Sequence, residues 1–157
     1  KEPTIKLDRE TANIYPPATK TVTFTVTVNG VQGNSGVTWT SGNTKVATVS
    51  NGKVTAVSKG TATITAKANG KLAKAKVTVK DPYANVSPTS GTIKIGKTLQ
   101  LTTNYAPAST GTPSYSSSNK KVATVDSKGV VKGVKAGTAT ITVKVNGVTA
   151  KAEITVK

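Results

Sequence analysis

The 157-residue sequence contains no cysteine, histidine or methionine. Without cysteine the chain has no disulfide, no thiolate nucleophile and no sulfur ligand for a metal. Without histidine it has no imidazole base for a Ser-His-Asp triad and no conventional zinc or haem ligand. We therefore expect a non-enzymatic protein that uses no cofactor and no metal. The carboxylates left for acid–base chemistry are Glu2, Asp8, Glu10, Asp81, Asp126 and Glu153.

Aromatic residues are also scarce, at 4% of the chain, which is too few for a series of stacking platforms. No apolar run approaches the ~20 residues of a membrane-spanning helix, so we expect no membrane span. Valine and threonine are abundant, and both favour strands over helix interiors. The chain begins at Lys1 and shows no signal peptide. We expect it to be a piece of a longer protein.

An internal repeat is the strongest feature of the sequence. The stretch from Trp39 to Lys80 aligns with the stretch from Tyr115 to Lys157, with identity at about 25 of 42 positions after one inserted residue. The period of about 76 residues is too long for a solenoid unit and long enough for a small domain. The repeat predicts one domain over residues 1–80 and a second over 81–157.

Within each repeat, apolar and polar residues alternate with the period of a half-buried strand. Asn-Gly pairs at positions 29, 51, 69 and 146 predict tight primed turns, which require positive φ at both central residues. We count about seven strand segments per domain and no helix. The predicted fold class is all-β, with two tandem antiparallel β-sandwiches. The predicted interdomain joint is Asp81, Pro82 and Tyr83, because proline cannot continue a ladder.

Nearly the whole chain, in two copies, resembles the bacterial immunoglobulin-like domain group 2 family, Big2. The shared pattern W-x-S-x-N-x-x-V-A-T-V…G-x-V…G-x-A-T-I-T begins at Trp39 and again, with tyrosine in first place, at Tyr115. The resemblance implies an immunoglobulin-like fold for both domains. It also implies a tandem module of a bacterial surface or phage protein that serves as spacer, stalk or attachment, with no catalytic residues to transfer.

The sequence therefore predicts a non-catalytic structural or adhesion module of an extracellular bacterial surface protein, with neighbouring domains as partners. The alternatives are a phage virion decoration or tail domain, a carbohydrate-binding accessory module, and a fibre subunit that self-assembles through its terminal strand, residues 150–157. Trp39 could stack on a sugar, but a core position on the third strand is the favoured reading. The predicted core residues are Trp39, Val46, Val49, Ile64, Val77, Tyr115, Val122, Val125, Ile141 and Ile154.

The carboxylates and the glycine-rich loop give weak signals. Asp8 and Glu10 would share one face of an extended strand, which makes no glycosidase cleft. Asp81 and Asp126 alone are poor support for a calcium site. The loop of residues 30–36 lacks the strand–loop–helix setting of a phosphate site and is expected to be a hairpin loop.

The formal net charge of +16 is the remaining feature, and it comes from lysine, with Arg9 as the sole arginine. Arginine forks and interleaved aromatics are typical of specific nucleic-acid binders, so we expect no specific nucleic-acid binding. One interpretation is that the lysines solvate the sheets and protect their edges. The other is a weak, salt-sensitive attraction to anionic cell-wall polymers, acidic glycans or a capsid surface.

Overall fold

The computed structural model describes residues 2–157, which form strands and turns and no helix. No helix able to cross a membrane occurs among these described residues. The chain divides into two compact units, Lys1–Asp81 and Pro82–Lys157. Asp81 thus belongs to the first unit, where its carboxylate accepts a hydrogen bond of 2.6 Å from Lys59 Nζ.

The first unit pairs ten strands, counted over its described residues, into three sheets. β2, β10, β9 and β6 form a four-stranded sheet in that order, and the three-stranded sheets β1-β4-β5 and β3-β8-β7 lie across the core from it. The strands are β1 (Ile5–Leu7), β2 (Thr11–Ile14), β3 (Thr21–Thr23), β4 (Val26–Val28), β5 (Val31–Gln32), β6 (Thr38–Ser41), β7 (Ala47–Ser50), β8 (Lys53–Ala56), β9 (Gly60–Ala68) and β10 (Lys71–Val79).

The second unit repeats this plan with nine strands. The four-stranded sheet has the order β12-β19-β18-β15, and the other strands form the pair β11-β14 and the sheet β13-β17-β16. The strands are β11 (Tyr83–Ser87), β12 (Ser90–Ile93), β13 (Thr98–Gln100), β14 (Thr102–Ala106), β15 (Ser114–Ser117), β16 (Ala123–Val125), β17 (Val130–Gly133), β18 (Gly137–Val145) and β19 (Val148–Val156).

The opening strand of each unit changes sheets, which the sequence did not predict. In the first unit β1 pairs antiparallel with β4, whereas β2 pairs parallel with β10. In the second unit β11 pairs with β14 and β12 runs parallel to β19. Each opening segment therefore counts as two strands, and each sandwich, predicted as antiparallel, contains one parallel pair. The all-β sandwich class itself is confirmed.

The terminal strand that the fibre alternative would use already has neighbours in its own sheet. β19 lies between β18 and β12, so its segment from Glu153 to Val156 has a neighbour on both sides. β12 does not extend along the earlier part of β19, and residues 150–152 pair on one side with β18. Within the segment of residues 150–157, the part of the strand open to pairing with another subunit is therefore residues 150–152, on one side.

Each unit has its own hydrophobic core. Of the predicted core residues, six are buried: Val46, Ile64, Val77, Val122, Ile141 and Ile154. Four are half-buried and pack against the core: Trp39, Val49, Tyr115 and Val125. These four lie on β6, β7, β15 and β16, which are edge strands. An edge strand has a neighbour on one side, so its inward side chains keep some contact with solvent.

The predicted primed turns are confirmed at all four Asn-Gly pairs. The asparagines at 29, 51, 69 and 146 have φ of 51°, 48°, 51° and 53°, and each following glycine also has positive φ. The glycine-rich segment after Asn29 is a hairpin, in which β5 pairs with β4 and Gly33 N–H donates to the Val26 carbonyl at 3.1 Å.

Candidate functional surfaces

Trp39 is held from several sides and does not form an open stacking platform. Its indole packs against the core of the first unit, and a side-chain carbon at Gly52 would lie 3.2 Å from ring atom Cζ2. The indole Nε1–H donates to Asn34 Oδ1 at 3.3 Å. Asn34 Nδ2 in turn donates to the Asn51 carbonyl at 2.7 Å. Asn34, which no sequence motif singles out, therefore links the glycine-rich hairpin to Trp39 through these hydrogen bonds.

Tyr115 occupies the corresponding place in the second unit. Its hydroxyl lies 2.7 Å from Thr103 Oγ1, and a side-chain carbon at Gly129 would lie 2.9 Å from ring atom Cζ. Tyr115 also lines an open depression of about 300 Å³ whose other lining residues include Lys120 and Val125. The half-buried ring is thus partnered within its own domain and leaves one edge beside this depression.

The serine and asparagine of the repeated motif shape a loop through their hydrogen bonds to the backbone. Ser41 Oγ donates to the Ala47 carbonyl at 2.6 Å and accepts from Asn43 N–H at 3.3 Å, while Asn43 Oδ1 accepts from Lys45 N–H at 3.2 Å. The second unit repeats all three hydrogen bonds from Ser117 and Asn119. The motif therefore fixes the connection into β7 and β16.

Asp8 is engaged by backbone and arginine and is not poised for catalysis. Its Oδ1 accepts from Thr25 N–H at 2.9 Å, and its Oδ2 accepts from Arg9 Nε at 2.9 Å. Partial burial acts to raise the pKa of Asp8, but the Thr25 hydrogen bond and the Arg9 charge outweigh it and lower the pKa. An Asp held ionised beside Arg9 is a poor proton donor, and Glu10 is not hydrogen-bonded to it.

Asp126 caps a turn in the second unit. Its Oδ1 accepts from Val130 N–H and Lys128 N–H, both at 2.9 Å. The hydrogen bond from Val130, together with that from Lys128, lowers the pKa of Asp126. Asp81 lies in the other unit and is paired with Lys59. No cluster of three or more acidic metal-ligand residues occurs among the described residues 2–157.

Two further depressions lie on the first unit. One, of about 520 Å³, is lined by Glu2, Pro3, Thr4 and the Asn29-Gly30 turn. The other, of about 350 Å³, runs between residues 5–10 and residues 72–74, where the outer edge of β10 is not covered by β2. The first has Glu2 as its one charged lining residue, and the second mixes acids and bases along an exposed strand edge. Neither is the convergent polar arrangement of an enclosed ligand site.

Three lysines share the outer face of the four-stranded sheet in the first unit. Lys67 lies on β9 and Lys74 and Lys76 lie on β10, all exposed. Alternate residues of a strand point to the same side about 7 Å apart, and Lys74 and Lys76 lie opposite Thr65 and Thr63. Lys67 pairs two residues away from Lys74 across the strands, as its diagonal neighbour. We call this surface the lysine face.

The matching surface of the second unit differs in charge. Lys144 and Lys151 take the places of Lys67 and Lys74, but Glu153 takes the place of Lys76. The register shows the match, because Glu153 lies opposite Thr140 in the antiparallel neighbour and opposite Ser90 in the parallel one. Glu153 is exposed. We call this surface the mixed face.

The ion pairs found among the described residues are Arg9 with Asp8 at 2.8 Å and Lys59 with Asp81 at 2.6 Å. Neither includes a residue of the lysine face, so its three ammonium groups have no carboxylate partner in residues 2–157. Thr65 and Thr63 lie opposite Lys74 and Lys76 on the same side of the sheet.

Solved structures share the fold. The S-layer protein SbsC aligns with 99% of this chain at 22% identity and a TM-score of 0.50, and the chain spans 28% of that structure. A structure of SbsC domains 4–9 aligns with 99% of the chain at 21% identity and a TM-score of 0.50, of which the chain spans 30%. At these identities the likeness concerns the fold.

A curated relative matches part of the chain. The 3-O-alpha-D-galactosyl-alpha-L-arabinofuranosidase of Bifidobacterium longum subsp. longum is 54% identical over 52 residues. The match covers 32% of this chain and 5% of the relative, so the chain spans a small part of that protein.

The family comparison covers nearly all of the chain. The bacterial Ig-like domain (group 2) family matches residues 4–79 and, separately, residues 83–156. The two matches follow the two structural units, each with the sandwich and the Ser-Asn loop described above. The chain therefore belongs to the bacterial Ig-like domain (group 2) family and contains two tandem copies of the domain.

Proposed function

We propose that this chain is a non-catalytic module of a bacterial extracellular or surface protein, which spaces or attaches its neighbouring domains. The observation that carries the proposal is the arrangement of side chains in each unit. The apolar ones form a closed core, and threonine and lysine cover the outer sheet faces. Every buried side-chain nitrogen or oxygen among the described residues has a hydrogen-bond partner. Such a domain keeps its apolar side chains inside and presents polar and charged side chains to its surroundings.

In this proposal, the positive charge of the lysines attaches the module to an anionic surface. The first unit carries 12 basic and four acidic residues and the second carries ten and two, so both are strongly positive. Exposed lysines attract a polyanion through long-range electrostatics that salt screens. Anionic polymers of the cell envelope are the partners that fit an extracellular lysine-rich surface.

Retention on immobilised wall teichoic acid at two salt concentrations tests the attachment. We expect retention at roughly 50 mM salt and a loss of ten-fold or more at roughly 200 mM, because bound lysines release counterions from the polymer. A column of neutral dextran provides the control. Absent retention, or retention that salt does not change, contradicts attachment by charge.

The curated relative favours a second candidate, in which the chain is an accessory module of a secreted glycoside hydrolase. The 54% identity over 52 residues to an arabinofuranosidase carries this candidate. It predicts binding to a neutral arabinogalactan that salt does not weaken. Affinity electrophoresis in gels with and without this polysaccharide checks it, and unchanged mobility removes the candidate.

A further inference from the structure

We propose that the lysine face of the first unit, formed by Lys67, Lys74 and Lys76, is the surface that binds the anionic polymer. The partner we assign is a linear phosphodiester polymer of the cell envelope, for which poly(glycerol phosphate) teichoic acid is the probe. This inference rests on the proposed attachment function and deepens it, because it names one face, one unit and one polymer chemistry.

The lysine face offers an extended row of cationic groups on a rigid support. Lys74 and Lys76 stand about 7 Å apart along β10, and Lys67 extends the row onto β9. Both strands have nine residues and pair over their full length, which holds the three positions in fixed register. A linear polymer with regularly repeated phosphates can therefore meet several ammonium groups at once, and the neighbouring Thr63 and Thr65 can donate hydrogen bonds to it.

The lysine face is bordered by threonines on β2 and β6 and by the charged segment of residues 6–10 beside the free edge of β10. On β2, Thr11 lies opposite Lys76, and on β6 the outward residues opposite β9 are Thr38 and Thr40. The nearest acid along the sheet is Glu10, whose backbone carbonyl accepts Lys76 N–H at 2.8 Å. Glu10 lies before β2 and, with Lys6, Asp8 and Arg9, lines the depression beside Lys74, so the face carries three positive charges and its margin carries charges of both signs.

The mixed face of the second unit is a natural control for this surface. It has the same four-stranded sheet and two of the three lysine positions, Lys144 and Lys151, yet Glu153 stands where the first unit has Lys76. A single carboxylate in that row repels a phosphate and reduces the charge of three matched positions from +3 to +1. The two units are therefore expected to bind the polymer unequally.

The chemistry of the face favours a phosphodiester polymer without bases over a nucleic acid. Single-stranded nucleic-acid sites combine a basic groove with aromatic platforms on which bases stack. Trp39 and its neighbour across the strands, the buried Ala66, point toward the core, so the tryptophan leaves the outer face without an aromatic ring. Arg9 is occupied by Asp8 and by the Thr23 carbonyl, to which it donates at 2.7 Å.

The test measures binding of teichoic acid to the full chain by titration calorimetry at roughly 50 mM salt. We expect Lys76→Glu to weaken binding by roughly 25-fold, since each lysine near an anionic surface is worth about a five-fold change in affinity. Lys53→Glu, on β8 of the opposite sheet, changes the net charge equally and should weaken binding less than three-fold. Glutamate at the matched position of the second unit shows that the fold tolerates Lys76→Glu, which circular dichroism verifies.

A gain-of-function variant completes the test. In the Lys76→Glu background, Glu153→Lys completes the row of Lys144 and Lys151 and should restore affinity to within about three-fold of the unaltered chain. Equal losses in Lys76→Glu and Lys53→Glu overturn the lysine face but leave charge-driven attachment standing. Absence of salt-sensitive binding by the unaltered chain removes both. Tighter binding of an oligothymidylate with the same number of charges overturns the assigned polymer class.

Discussion

Gly52 is the residue at which a turn and the core of the first unit meet. It follows Asn51 in a primed turn with φ of 84°, and a side-chain carbon there would lie 2.7 Å from the Phe24 carbonyl oxygen. The same carbon would lie 3.2 Å from Trp39 Cζ2. Gly52 therefore has two separate reasons to be glycine, whereas Gly70, with φ of 76°, has open space around it.

This difference predicts unequal costs for two alanine substitutions. Gly70→Ala should destabilise the first unit by roughly 1 kcal/mol, from the left-handed backbone alone. Gly52→Ala should cost roughly 2–4 kcal/mol, because the clash with Phe24 and Trp39 adds to the backbone strain. Urea unfolding followed by Trp39 fluorescence measures both values. Equal destabilisation by the two variants would contradict the packing role of Gly52.

Asp8 and Arg9 lie between the first two strands and hold this connection to the core through a salt bridge and a cation–π contact. The Arg9 guanidinium carbon lies 5.2 Å from the centre of the buried Phe24 ring, a cation–π distance. Arg9 also bonds Asp8, which in turn accepts from Thr25 N–H at 2.9 Å. In the second unit Ser87 and Pro88 occupy these positions, so this charged cap belongs to the first unit.

The lowered pKa of Asp8 gives a pH dependence with a definite sign. Its ionised form stabilises the folded state at pH above the ordinary Asp pKa of about 3.9, and this contribution is lost as pH falls through the lowered folded-state value. Asp8→Asn keeps an oxygen for Thr25 N–H and removes the charge. Its destabilisation in urea, followed by Trp39 fluorescence, should be largest near neutral pH and vanish in strong acid.

Asp126→Asn is the control for this pH effect, since Asp126 also has a lowered pKa but lies in the second unit. We expect it to leave the Trp39 transition unchanged at each pH. A destabilisation by Asp8→Asn that stayed constant down to strong acid would show that the charge of Asp8 is not what stabilises the fold.

At the scale of strands, alternation was enough to predict the central elements. β9 and β19 alternate inward and outward residues over all nine positions, and β10 and β18 do so after their first residue or two. A period of two has one structural meaning in such a run. Short strands carry too few residues to show which sheet they join. The switch of the opening segment between sheets, seen at β1 and β2, depends on pairing with β4 and β10, which are distant in sequence.

The candidate surfaces were predictable in part for the same reason. The family motif indicated Ser41 and Asn43 without their roles, because the hydrogen bonds to Ala47 and Lys45 exist only once the loop has closed. Asn34 had no sequence signal at all, since its partners Trp39 and Asn51 come from other segments. The composition showed that lysines are abundant. That Lys67 and Lys74 are diagonal neighbours depends on the pairing of β9 with β10, which the sequence alone does not specify.

The position of β19 predicts where the second unit is sensitive to mutation. Ile154 is fully buried between β12 and β18, so Ile154→Ala should cost roughly 2–5 kcal/mol through lost burial and a cavity. Lys151, three residues earlier on β19, is exposed, and Lys151→Ala should change stability by less than about 0.5 kcal/mol. Calorimetric melting temperatures compare the two. Similar small effects would mean that β19 is not a central strand.

The whole molecule consists of two copies of one domain, whose separate interiors are similar and whose surfaces differ. Buried positions are conservative between the copies: Ile64 corresponds to Ile141, and Val77 to Ile154. The exposed positions diverge, as Lys76 and Glu153 show. A core tolerates few changes because interiors are close-packed, whereas an outer sheet face is free to change charge. The two copies can therefore differ in binding while remaining the same fold.

Because each unit has a separate core cluster, we expect the two to unfold independently. The single tryptophan lies in the first unit, so its fluorescence reports that unit, while calorimetry reports both. Ile141→Ala should lower one calorimetric transition, by roughly 2–5 kcal/mol of stability, and leave the Trp39 transition in place. Ile64→Ala, the matched substitution in the first unit, should do the reverse. If either variant shifted both transitions equally, the chain would be one cooperative unit, and the domain boundary after Asp81 would not separate two independently stable folds.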